Sequence, residues 1–390
     1  MSASYLIAGC RTPIGKLLGT LSSIPAPRLG AVAVGEAVRR AGLPVEAVEE
    51  VIMGCVLPAG LGQAPARQAA LHAGLPNSVA ALTINKVCGS GLKAVMLADQ
   101  AIRSGDVKII VAGGMESMSQ APFLISGARA GWKFGDQTVR DSMQNDGLWC
   151  AFEDMAMGCE ADYIAESRGV SRADQDAFSV ESHRRAAARV GATLEEIVAV
   201  TVAGRKGDTI VTSDEGPRPD TSLEGLAKLR PSFGPTGTVT AGNASQISDG
   251  AAAVVVVSED AARDIRSPLK ARIVAAATSG VAPKEIFIAP VTAVQKVLAK
   301  AGLTMADIDL IELNEAFAAQ ALACMRPLEA DPAKTNIHGG AIALGHPIGA
   351  SGARVLVTLM YALAERGLKR GLASLCLGGG NAVAVIIERV

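Results

Sequence analysis

Three side chains suited to acyl chemistry stand in glycine-rich settings: Cys88, His346 and Cys376. Cys88 lies in Asn85-Lys86-Val87-Cys88-Gly89-Ser90-Gly91, just ahead of a helix predicted from Leu92. The unpaired amides and dipole of a helix N-terminus favour an anion. Such a setting lowers a thiol pKa from about 8.5 to as little as roughly 3.5, so Cys88 is expected to ionise easily and act as a nucleophile. A lone cysteine in apolar surroundings also reads as a packing residue. His346, one of four histidines, sits in Leu344-Gly345-His346-Pro347-Ile348-Gly349. The proline fixes the backbone and the glycines clear space, which suits a presented general base; a helix-capping or core histidine is the other reading. Cys376 ends a β-like run in Leu375-Cys376-Leu377-Gly378-Gly379-Gly380, and taken alone reads as a buried strand cysteine. Asn314, in Asn314-Glu315-Ala316-Phe317, reads alone as a helix cap. Cys10, Cys55, Cys150, Cys159 and Cys324 read as structural.

The elements that must position these groups come in two copies. An offset of about 260 residues brings Ala41-Gly42-Leu43 onto Ala301-Gly302-Leu303, and Gly91 onto Gly352. In each copy a predicted helix (92–103; 353–365) stops at a glycine (Gly105; Gly367). A short apolar strand follows (107–112; 372–377) and ends in glycines. This punctuation belongs to a layered α/β unit with buried strands. Two such units imply a pseudo-twofold pair whose strand-end loops converge, so the site should straddle both copies. The division expected is an N-terminal repeat over 1–118, completed by about 251–270, an inserted loop subdomain over 119–250, and a C-terminal repeat over 271–390. The insert holds both tryptophans and five of the seven phenylalanines. It also carries a capped helix, Ser171 leading into 175–188.

Composition narrows the class. A hydrophobic fraction of 49% with 42 Gly and 3% aromatic residues reads as a soluble α/β protein. With 37 basic against 38 acidic side chains, no net field draws the chain to nucleic acid or an anionic membrane. No apolar run approaches the roughly 20 residues of a membrane span, and residues 1–11 lack the order of a signal or transit peptide. Seven cysteines without a CxxC pair suit free thiols in a reducing compartment, so a cytoplasmic location is expected.

Taken together, six ordered motifs resemble the thiolase family over essentially the whole chain. They are the segment around Cys88, Ala112-Gly113-Gly114-Met115-Glu116-Ser117-Met118, Gly242-Asn243-Ala244-Ser245, Asn314-Glu315-Ala316-Phe317, Gly345-His346-Pro347 and Cys376-Leu377-Gly378. The resemblance implies an αβαβα fold and a ping-pong acyl transfer in fatty acid metabolism. In it His346 deprotonates Cys88, which holds an acyl group as a thioester, and Cys376 removes an α-proton from acetyl-CoA. It also implies two oxyanion sites, one formed by His346 with a water on Asn314, the other by the amides of Cys88 and Gly378. Acetyl-CoA, acetoacetyl-CoA or another 3-ketoacyl-CoA, and CoA would be substrates, with no metal or redox cofactor. Positions matching the family's CoA contacts are Arg218, Ser245, Met157, Leu148 and Phe317. Arg218 would meet a nucleotide phosphate or adenine face, although it also reads as a solvated loop arginine.

Two departures stand out. Ala156-Met157-Gly158 lacks the histidine that short-chain biosynthetic members carry, and His338 stands where asparagine is common, as an expected neighbour of the catalytic groups. The segment 286–290 instead resembles the acetoacetyl-CoA branch. A homotetramer forming acetoacetyl-CoA is the leading implication, and a degradative enzyme of broader chain length the alternative. A non-catalytic acyl-CoA or lipid carrier fits less well because all four catalytic positions are intact. A ketoacyl synthase also fits less well, because Cys376 is foreign to such sites.

Overall fold

The computed structural model describes residues 3–190 and 195–390. Met1 and Ser2, at the head of the N-terminal stretch considered above, lie outside them. Nine strands and a two-residue strand (Gly15–Lys16) form the main sheet. In chain order the nine are β1 (Ser4–Arg11), β2 (Glu50–Gly54), β3 (Ala80–Ile84), β4 (Ile109–Ser117), β5 (Ser248–Ser258), β6 (Ala271–Gly280), β7 (Leu310–Leu313), β8 (Arg370–Leu377) and β9 (Asn381–Arg389). Their spatial order is β3-β2-β4-β5-β1-β6-β9-β8-β7. The two copies found in the sequence are therefore joined edge to edge, with β1 pairing β6 through Tyr5↔Arg272 and Leu6↔Ala271.

On either side of that seam the pattern repeats. β2 is parallel to β4, and β7 to β8, while β5 and β9 run antiparallel to β4 and β8. β3 pairs parallel to β2, whereas its counterpart in the second copy shrinks to a single bridge, Ile311↔Thr335.

Four helices complete the layers: α1 (Ala26–Ala41), α2 (Ser90–Ser104), α3 (Ala289–Ala301) and α4 (Ile348–Arg366). α1 packs on the strands of the first copy and α3 on those of the second; α4 touches β4 and β5 of one copy and β7 and β8 of the other. The order is thus helix, sheet, paired central helices, sheet, helix. α4 has the length and hydropathy of a membrane span, but 15 of its residues are buried in this sandwich. The glycine stops are real caps, with Gly105 at φ 85° and Gly367 at φ 64°, the left-handed region where a side chain is costly.

The central helices cross at the two glycines that the repeat superposes. A Cβ on Gly91 would sit 2.7 Å from the Ala353 nitrogen, and one on Gly352 would press into the Leu92 backbone. Only hydrogen at both positions lets the N-termini of α2 and α4 meet. Cys88 immediately precedes one of these N-termini and His346 the other.

Residues between β4 and β5 lie outside the main sheet, in three two-stranded pieces and several helices. The helix Arg172–Ala187 begins as expected, with a capping box between Ser171 and Asp174. A π-helix, Met143–Leu148, and the helix Met157–Ser167 face the strand ends. They form the outer wall of the chamber described next.

Candidate active site

The parallel strands β3, β7 and β8 deliver their carboxyl ends to one place, where open α/β sheets present their ligands. Asn85 to Cys88 follow β3, Asn314 follows β7, and Cys376 is the penultimate residue of β8. Together with α4's entry they enclose a chamber of about 350 Å³ lined by Cys88, His346, Cys376 and Gly378. Leu148, Met157, Ser245 and Phe317 also line it. The structure therefore brings together residues up to 290 positions apart in the chain. Asn314 stands behind His346, with its Nδ2 3.5 Å from the imidazole Nε2. Arg218 does not join them. It is exposed, and its backbone amide bonds His183 Nδ1.

The turn that presents Cys88 is tight. Val87 adopts φ 47°, a strained conformation for a β-branched residue and of the kind that clusters at functional sites. Two side chains hold it there. Asn85 Oδ1 accepts from the Val87 amide at 2.9 Å, and Ser90 Oγ accepts from the Lys86 amide at 2.8 Å while donating to the Val87 carbonyl at 2.6 Å. The amides of Cys88 and Gly378 both point at the Cys88 sulfur. That convergence is what an oxyanion on a thioester at Cys88 requires.

The expectation that Cys88 ionises easily is corrected. Burial pushes its thiol up to about 12, and the amides of Cys88 and Gly378 oppose this only in part. The helix N-terminus was the right local signal, but desolvation by the chamber walls outweighs it even though Cys88 is only half-buried. His346 is driven the other way, down to about 3, by burial and then by the positive charge of Arg354. Both shifts favour the uncharged forms, a thiol and a neutral imidazole, in the resting pair. Cys376, 2% exposed, is raised well above its ordinary value, again chiefly by burial.

Several residues that matter here were given no role by the sequence, although Glu116 and Glu315 lie inside two of the motifs quoted above. Glu116, fully buried, accepts hydrogen bonds from the amides of Val56 (3.0 Å), Leu57 (3.1 Å) and Gly349 (2.9 Å). It thereby ties the first turn of α4 to the other half of the molecule. Burial raises its carboxyl to about 7, with those three amides pulling it back. Glu315 plays the matching part beside Asn314, accepting from Ser182, Asn336 and the Ile342 amide. An isolated acid within an apolar strand, as at Glu116, was the one available clue. Ser351 touches His346 and was visible only as part of a glycine-rich run.

The two departures resolve differently. Ala156 lines the chamber, with nothing larger than a methyl at that point of the wall. His338 is not a neighbour of the catalytic groups. The turn through Asn336 (φ 48°) and Gly339 (φ 79°) sends it to Glu365, Nε2 to Oε2 3.2 Å, near the far end of α4 and about 20 Å along that helix from its first turn. The segment 286–290 does reach the site, because Ile286 and Phe287 form part of the wall. Phe287 stacks edge-on against Phe317 with centroids 5.2 Å apart.

Comparison with known proteins agrees with this geometry. The thiolase N-terminal domain matches residues 4–260 and the thiolase C-terminal domain residues 267–389. An acetyl-CoA acetyltransferase of Pseudomonas aeruginosa is 51% identical, and one of Cupriavidus necator 50% identical, each over the full length of both chains. The crystal structure of the Bacillus anthracis acetyl-CoA acetyltransferase superposes with a TM-score of 0.97 at 38% identity, covering 100% of this chain and 99% of that one. The chain belongs to the thiolase family.

Proposed function

We propose that this protein is an acetyl-CoA acetyltransferase, condensing two acetyl-CoA to acetoacetyl-CoA and CoA and running the reverse thiolysis. The observation that carries this is the meeting of Cys88, His346 and Cys376 in one apolar chamber with two amides aimed at the nucleophile.

The neutral resting state sets the order of proton movements. As Cys88 attacks the first thioester its proton passes to His346, and the expelled CoA thiolate takes the proton of Cys376. An imidazolium and a Cys376 thiolate remain. That thiolate removes the α-proton of the second acetyl-CoA, and the carbanion attacks the acetyl group on Cys88. A carbon–carbon bond forms, the Cys88–acyl bond breaks, and the departing Cys88 sulfur recovers its proton from His346. No metal or redox cofactor enters this sequence, because the thioester carbonyl itself acidifies the α-carbon.

CoA-dependent cleavage of acetoacetyl-CoA, 3-ketohexanoyl-CoA and 3-ketodecanoyl-CoA tests the reading, with Cys88→Ala as control. A strong preference for the four-carbon substrate is expected. Comparable rates on the longer chains would favour a degradative thiolase, the reading to which the small Ala156 in the chamber wall lends weight. Cleavage that survived in Cys88→Ala would sink both.

A homotetramer in a reducing, cytoplasmic setting and a role in fatty acid metabolism belong to the same proposal. Its support is the cluster of exposed apolar side chains on and beside the hairpin Phe123–Ile125/Val139–Asp141: Phe123, Ile125, Trp132, Phe134 and Val139. Exposed apolar surface of this kind is characteristic of contact sites, and we assign it to contact between copies. Light scattering should return a mass near four chains; a monomer would refute the assembly.

A further inference from the structure

We infer that Ser351, aided by Arg354, fixes the tautomer of His346, so that Nδ1 carries the proton and Nε2 is the bare, basic nitrogen facing the chamber. The inference deepens the functional reading above and concerns positioning residues rather than groups that touch substrate.

Both ends of one hydrogen-bonded chain bear on the answer, and the tautomer rests on the two together. At the first end, His346 Nδ1 lies 2.6 Å from Ser351 Oγ, and that hydroxyl lies 2.9 Å from the Pro347 carbonyl. The Pro347 carbonyl accepts the amides of Ala350 and Ser351, each at 2.9 Å, and has the Ser351 hydroxyl at the same distance, so the single hydroxyl proton can go to it. The Ser351 oxygen is then free to accept from Nδ1, an arrangement that this end permits and the other end selects.

At the other end, the Asn314 amide sits between His346 Nε2 and the Arg354 guanidinium, at 3.5 Å from each. Guanidinium can only donate, which turns Asn314 Oδ1 toward Arg354 and Nδ2 toward the imidazole. Facing an N–H donor, Nε2 must be unprotonated. Arg354 is itself held by Glu312, 3.2 Å away, with both side chains only 2% exposed. From Arg354 the donors thus run one way, through Asn314, His346 and Ser351 to the Pro347 carbonyl, while a second guanidinium N–H donates to Glu312.

Ser351 and Arg354 are three residues apart on α4, which places them on one face of the helix. Both are buried. α4 therefore does more than fill the central layer, since it sets the proton position at both ends of the imidazole. A wrong tautomer removes a general base as effectively as removing the ring does, because the lone pair then faces away from the thiol.

The chain contains four histidines, so imidazole nitrogen NMR on [15N]histidine-labelled full-length protein can read the tautomer directly. His346 is assigned as the signal missing from His346→Asn. The expected wild-type spectrum shows its proton on Nδ1 and a bare Nε2. Ser351→Ala should give a mixture of the two neutral tautomers. Its kcat should fall in proportion to the share of the Nε2-bare tautomer that is lost, about twofold for an even mixture, with KM little changed. Ser351→Thr, which keeps the hydroxyl, should restore both. Signals of His72, His183 and His338 at their wild-type positions show that each variant is folded.

A wild-type His346 protonated on Nε2 would overturn the inference, as would a Ser351→Ala protein with unchanged spectrum and kcat. The spectrum is read without substrate. Absence of turnover on any 3-ketoacyl-CoA would therefore remove the functional reading while the tautomer assignment stood or fell on the spectrum alone.

Discussion

Cys376→Ser should leave acylation of Cys88 by acetyl-CoA nearly intact and slow the exchange of acetyl-CoA α-protons with solvent by on the order of 10³-fold, within the range of a lost general base. The two half-reactions ask different things of Cys376. In the first, CoA leaves as a thiolate that is stable without immediate protonation, so the acid is helpful but dispensable. In the second, the α-proton has nowhere else to go. A serine in the same buried place is far less acidic than a thiol whose own ionisation burial already opposes. Rapid-quench measurement of acetyl-enzyme, set beside loss of deuterium from labelled acetyl-CoA, separates the steps. Equal loss in both would show that Cys376 is not the base of the condensation.

The second large effect is expected far from any reacting atom. Gly352→Ala places a methyl group where the Leu92 backbone already stands. Backbone cannot rotate aside as a side chain can, so α2 and α4 must separate. Overpacking at such a contact costs about 3 kcal/mol. The separation also pulls Cys88 away from His346, because each sits directly ahead of one of the two helices. Gly352→Ala should therefore lower both the unfolding temperature and kcat. Gly280→Ala, which meets nothing within 4 Å, should change neither. Wild-type kcat in Gly352→Ala would mean that the crossing does not position the site.

Much of this arrangement was legible in the chain, for identifiable reasons. The glycines at 42, 105, 302 and 367 punctuate because their positive φ is a local, residue-specific demand, and all four adopt it. The superposition of Gly91 on Gly352 fixed the register of the repeat, but the crossing of the two helices at these glycines came only with the structure. Cys88 and His346 drew notice as a cysteine and a histidine set among glycines beside helix starts, whereas Cys376 read alone as a buried strand residue and entered through the family resemblance.

What escaped the sequence were relations between distant segments. The acidity of Cys88 was misjudged because a helix N-terminus is visible locally, whereas burial depends on walls contributed by residues from Met118 to Gly378. Glu116 and Ser351 act through partners 233 and 5 residues away, and nothing in their own neighbourhoods names those partners. His338 was misplaced because a single left-handed residue, Asn336, redirects the chain just before it.

The seam between β1 and β6 has a consequence for how such a site could arise. Two separate, identical halves paired about a twofold axis would present every side chain twice, at symmetry-related places. A cysteine before one central helix would then be matched by a cysteine before the other, so these two equivalent positions could not hold a nucleophile and a base of a different kind. Joining the halves into one polypeptide keeps the architecture of a dimer and lifts its compositional constraint. The loop before α2 is free to hold a thiol while the loop before α4 holds an imidazole. The division of labour between nucleophile and base is thus a property of a broken symmetry, maintained by a backbone in which the symmetry survives.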